Sequence, residues 1–142
     1  MNSAEQREKL INQLIKHEGI RLKPYLCTAG KLTVGVGRNL EDNGITYEEA
    51  VMMLGNDINR CDKELRENFA WFEGLDWTRQ NVLIDMCFNL GINRLKKFRK
   101  TLALIEKGDY LTASEEMLNS RWAVQVKGRA KTLSRLMKDG GE

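Results

Sequence analysis

The chain has 142 residues, 30 % charged and 42 % hydrophobic, with three Trp, three Tyr, four Phe and a formal charge of +3. That length suits one domain able to bury about two thirds of its unfolded surface, and the composition excludes a disordered chain. No run approaches the ~18 apolar residues of a membrane span, and with one His and no Cys-x-x-Cys among Cys27, Cys61 and Cys87, no zinc site, other metal or cofactor is expected.

Leu10, Ile11, Leu14 and Ile15 recur at helical spacing behind Ser3, and Ser3 to Gln6 reads as a capping box. The first helix is predicted to stop near Gly19, leaving Glu18 at its C-terminal end, where the helix dipole disfavours a carboxylate and pushes its pKa upward. Ile20 and Leu22, then Leu32, Val34 and Val36, alternate with period two on either side of "CTAGK". This predicts a β-hairpin with Pro24 on an edge and Gly35 and Gly37 leaving room for a close neighbour. On that alternation Thr33 points away from the small core, and "NLEDNGIT" is loop.

Thr46 to Glu49 is a second capping box, opening a long helix with Ala50, Val51, Met53, Leu54, Ile58 and Leu65 as its apolar stripe. Thr78 is the next predicted N-cap, and Gly91 stops the helix that follows. Further helices are predicted over about 98–106, from 111 or 112 to 119, and from 127 or 129 to 138. The first helix is expected to pack with these later ones. The architecture is α+β: a mostly helical larger lobe (about 1–18 plus 61–142) and a small lobe (about 19–60) with a short antiparallel sheet. The site is expected in a cleft between the two lobes of this single domain.

On position alone Glu18 is an ordinary surface acid. Its surroundings change that reading. Glu18, Cys27 and Thr33 follow the spacing Glu, eight residues, Asp or Cys, five residues, Thr, and "TVGVG" follows the threonine. With "MCFNLG" at 86–91, the region of Phe98 and "SRWAVQVKGRA" at 120–130, the chain resembles the phage T4-type lysozymes, the endolysins of glycoside hydrolase family 24, in collinear order over most of its length.

That resemblance implies a lysozyme-like fold and hydrolysis of the β-1,4 bond between N-acetylmuramic acid and N-acetylglucosamine in peptidoglycan, with inversion. Glu18 would be the general acid, protonating a poor leaving group, and Thr33 would hydrogen-bond the incoming water. Cys27 is open to three readings: a thiolate base or electrostatic partner, a neutral group that positions water with Thr33, or a bystander. Its ordinary pKa leaves only a few per cent thiolate at neutral pH, and Arg21 and Lys23 are candidates to lower it. Arg129 would hold the Glu18 side chain, and Phe88 would line the cleft. Gln125, Thr101 and Asn39 (or Leu40) would contact substrate. His17 stands where the family often has an acid, which bears on how Arg129 is anchored. Cys61 and Cys87 are read as structural.

Two other classes compete. One is a non-catalytic wall-binding protein of the same fold. The other is a basic protein that binds nucleic acid or membranes through Arg121 to Lys138, a stretch with six basic residues and no acidic one. The second leaves the Glu–Cys–Thr spacing unexplained, so neither nucleic-acid binding nor stable membrane insertion is expected. The expected protein is a monomer made in the host cytoplasm without a signal peptide, acting on glycan strands and reaching the wall at lysis through a holin-type pore.

Overall fold

The computed structural model describes residues 3–141. Internal contacts divide the chain into two compact units, Met1–Val51 and Met52–Glu142. The first helix is therefore grouped with the sheet, whereas the sequence pattern grouped residues 1–18 with 61–142.

In the first unit, α1 spans Ala4–Glu18 and opens on the Ser3 capping box, with Gly19 as C-cap at φ 77°. A three-stranded antiparallel sheet follows in the order β1 (Arg21–Leu26), β2 (Leu32–Gly35), β3 (Arg38–Asn39). Pro24 lies in β1, an edge strand, where a residue without an N–H is tolerated. The ladder is irregular between Arg21 and Tyr25, so the alternation there does not hold its register. Thr33 is the buried residue of β2 at 3 % exposure, while Leu32 is 41 % exposed. This reverses the expected orientation. Alternation separates the two faces of a strand but does not say which face is covered, and β3 pairs with Thr33 through Asn39.

The stretch "NLEDNGIT" is not all loop. It contains a one-turn helix, α2 (Leu40–Asn43), because Asn39 caps it and two acids sit in its first turn. Helix α3 (Tyr47–Asn68) opens on the predicted Thr46–Glu49 box, with both reciprocal bonds made at 3.1 and 2.8 Å. Its buried residues are Cys61 and Leu65 only. Val51, Met53, Leu54 and Ile58 remain 41–54 % exposed, so the apolar stripe is covered only towards its C-terminal end.

The second unit holds the hydrophobic core. A 3-10 turn at Phe72–Gly74 leads into α4 (Trp77–Leu90), which is capped by Asp76 rather than Thr78. Asp76 is the residue with extended backbone just before the helix, and its carboxylate accepts from the Arg79 N–H at 3.2 Å. Gly91 ends α4 at φ 83°, as expected. There follow α5 (Ile92–Leu95), α6 (Arg99–Lys107), α7 (Tyr110–Leu118), α8 (Arg121–Val126) and α9 (Gly128–Asp139). Helix α7 packs on α6 and α9, and α4 packs on α9. Phe72, Leu83, Met86, Leu95, Ile105 and Met137 are among the fully buried side chains between them. Among the described residues, no helix is long and apolar enough to cross a membrane.

Candidate active site

Glu18 ends α1, and Gly19 turns the chain out of the helix with its N–H bonded to Ile15 O at 2.7 Å. The carboxylate then lies against the glycine-rich segment after β2. A Cβ built on Gly37 would stand 2.9 Å from Glu18 Oε1 and 3.3 Å from Cδ, and Gly37 has φ +61°. Glycine is required there twice, for the left-handed backbone and for the space the acid occupies. Gly37 is a site residue that the sequence marked only as one of several permissive glycines.

The β1–β2 turn sets Cys27 beside Thr33. Cys27 N donates to Lys31 O at 3.0 Å and Gly30 N donates to Cys27 O at 2.8 Å, with Gly30 at φ 78°. This tight loop turns backbone N–H groups towards the sulfur. The Lys31 N–H, then that of Ala29, hold the Cys27 thiol below its ordinary value. The Thr33 hydroxyl adds to this and slight burial opposes it. Arg21, expected as a candidate for that role, stacks over the Tyr25 ring instead, 4.2 Å from its centroid. The Thr33 hydroxyl donates to Lys31 O at 2.8 Å. It has one proton for two possible acceptors, that carbonyl and the Cys27 sulfur.

Charged contacts missed by the sequence reading brace this hairpin. Lys31 Nζ meets Asp42 at 3.3 Å and Glu41 at 3.7 Å, and Leu32 N donates to Glu41 Oε1 at 3.3 Å. Arg38 grips Glu49 through two bonds of 2.9 and 2.7 Å and also donates to Gly44 O at 3.0 Å. The guanidinium drops the Glu49 carboxyl to about 2. Asn39 is occupied as a cap: its side chain accepts from Asp42 N at 3.0 Å and donates to Asp42 Oδ2 at 2.9 Å.

Four predicted residues lie in the second unit. Arg129 is anchored by Asp85, with Nε to Oδ1 at 2.8 Å and Nη2 to Oδ1 at 2.6 Å. Asp85 could not be paired with it from sequence, 44 positions away. Phe88 is 45 % exposed on α4 and so is no core residue. Beside it, Asn89 Oδ1 accepts from the Trp122 indole at 2.8 Å. Thr101 and Gln125 share a cavity of about 550 Å³ that Phe88 and Arg129 do not line. Arg94, Lys97, Arg99, Lys100 and Arg121 also line it against one acid, Glu116, over the apolar surface of Phe98 and Trp122. That wall suits a ligand with both carboxylates and apolar ring faces.

A small antiparallel sheet with a helix-end acid, joined to a helical unit, defines an α+β, lysozyme-like protein. The chain belongs to the Phage lysozyme family, whose profile matches residues 15–138. It is 26 % identical to the probable T4-type lysozyme 1 of Dictyostelium discoideum, covering 92 % of this chain and 94 % of that one. It is 31 % identical to an endolysin of Acyrthosiphon pisum secondary endosymbiont phage 1, covering 92 % and 89 %. It is also 26 % identical to the pre-baseplate central spike protein Gp5 of Enterobacteria phage T4, over 92 % of this chain but 28 % of that longer protein. The chain is thus a lysozyme-type enzyme.

Proposed function

We propose that this enzyme is an endolysin that hydrolyses the β-1,4 bond between N-acetylmuramic acid and N-acetylglucosamine of peptidoglycan with inversion, for host lysis. The observation that carries the reading is the Glu18 carboxylate seated on Gly37, in the same unit as the hairpin bearing Cys27 and Thr33.

Glu18 protonates the glycosidic oxygen as the bond breaks. A water attacks the anomeric carbon from the opposite face, accepted and oriented by Thr33, and gives up its proton to the Cys27 thiolate. The lowered Cys27 thiol supports the thiolate reading over the neutral one. The trio has a single carboxylate, which supports attack by water over a glycosyl–carboxylate intermediate. Thr101 and Gln125 contact the substrate from their basic-walled cavity, whose cations suit the carboxylates of stem peptides. Arg129, fixed by Asp85, is a supporting residue. The protein acts as a monomer and reaches the wall through a holin-type pore.

Clearing of a peptidoglycan suspension tests this. Wild type clears it with release of new reducing ends, and Glu18→Gln leaves the fold intact and lowers the rate by at least about 10²-fold. A wild type that binds walls without cleaving them identifies the non-catalytic alternative.

A further inference from the structure

The second unit contains a side-chain cluster that the proposed hydrolysis does not use. Cys61 on α3 and Cys87 on α4 are each 1 % exposed. Glu64, one turn beyond Cys61 on the same helix face, is half-buried beside them. The two sulfurs and a Glu64 carboxylate oxygen all lie within 4.8 Å of one another, and Cys87 Sγ donates to Glu64 Oε1 at 4.0 Å. A buried cysteine by itself is a small apolar side chain. Two buried sulfurs converging with a carboxylate form a donor set.

We propose that Cys61, Glu64 and Cys87 bind a soft divalent cation of the zinc type, which ties α3 to α4. Zinc holds thiolate sulfur at about 2.3 Å and carboxylate oxygen at about 2.0–2.2 Å, so tetrahedral donors stand about 3.6–3.8 Å apart. Donors already within 4.8 Å reach that arrangement by side-chain adjustments of about 1 Å. The second Glu64 oxygen is available for a further position. Two thiolates and one carboxylate suit Zn²⁺ or Cd²⁺; Ca²⁺ and Mg²⁺ require six or more oxygens or retained waters.

Binding exchanges protons for metal. One M²⁺, two thiols and one carboxylate give a complex of charge −1 and two free protons, so the total charge is +1 on each side. Arg60, paired with Asp57 at 2.6 Å, adds positive charge near the cluster and offsets the complex's negative one. Affinity therefore falls as pH falls. The cysteines stand 26 positions apart on different helices, so no Cys-x-x-Cys spacing announces the site.

The test is a titration of the folded full chain with Cd²⁺, in a Cys27→Ser background that removes the third, half-exposed thiol. Expected are a saturable thiolate-to-cadmium charge-transfer band at one ion per chain and two protons released per ion. Zn²⁺ displaces the Cd²⁺. The melting temperature rises by about 5–10 °C at a free Cd²⁺ concentration near a hundred times the dissociation constant. Cys61→Ala or Cys87→Ala removes the band and the rise, and Glu64→Gln weakens binding about 10-fold or more. Should an alanine variant fail to fold, the cadmium NMR resonance of the parent decides, since two sulfur ligands shift it far from the oxygen-only position. No band in the folded parent, a band that survives Cys61→Ala or Cys87→Ala, or an oxygen-only cadmium resonance overturns the proposal.

Discussion

Gly37→Ala isolates the contact between the acid and the glycine segment. The added Cβ would lie 2.9 Å from Glu18 Oε1 at a backbone φ of +61°. Placing an L side chain at that φ costs about 1–3 kcal/mol. The overlap itself is relieved cheaply, because the atom it meets is the free end of an exposed side chain. The fold therefore survives, and the carboxylate is displaced by a few tenths of an ångström to about 1 Å. Misplacing a catalytic group by about 1 Å costs on the order of 10²-fold in rate.

Gly44→Ala is the matched control, since Gly44 has the same φ of +61° with nothing within 4 Å of its Cβ position. Urea unfolding should show losses of about 1–3 kcal/mol for both variants. Peptidoglycan clearing should fall about 10²-fold for Gly37→Ala and stay near wild type for Gly44→Ala. Equal activity in the two variants would refute the seating of Glu18 on Gly37 as a catalytic requirement.

Three further outcomes follow from contacts within the two units. The lowered Cys27 thiol places the limb of the pH–rate profile that it sets below the ordinary thiol range. Cys27→Asp moves that limb acid-ward and Cys27→Ala abolishes it, whereas full activity in Cys27→Ala would make the thiol a bystander. Glu49, held near 2 by Arg38, contributes stability that is complete above its unfolded value of about 4.5 and is lost as pH falls from there towards 2. Over that window the urea midpoint should fall more steeply in wild type than in Arg38→Met; parallel curves would exclude the linkage. Arg79 donates to Met137 O at 2.6 Å, Lys138 O at 2.9 Å and Asp76 Oδ1 at 2.9 Å, and stacks 3.5 Å from the Tyr110 ring centroid. Arg79→Met should therefore cost about 2–4 kcal/mol in denaturant unfolding, and a loss under about 0.5 kcal/mol, the range of a neutral surface change, would contradict its capping of α9.

Signals that span a few residues were legible in the sequence. The Ser3–Gln6 and Thr46–Glu49 boxes, the Gly19 and Gly91 stops and the "CTAGK" turn depend on i,i+3 bonds, left-handed glycines and period two. These forces act within a turn or two of chain. The two-residue β3 and the short α2, α5 and α8 were not legible, because segments of two to six residues complete too few periods to register.

The Glu18–Cys27–Thr33 spacing and the family could be read directly off the chain, because both are fixed by residue order. What each residue touches depended on the folded arrangement. It put Thr33 inside, set Glu18 on Gly37, gave Cys27 its backbone N–H donors, paired Arg129 with Asp85 and brought Cys61 to Cys87. Burial and charge pairing are set by neighbours in space, and a residue 44 positions away leaves no local trace in the sequence around its partner.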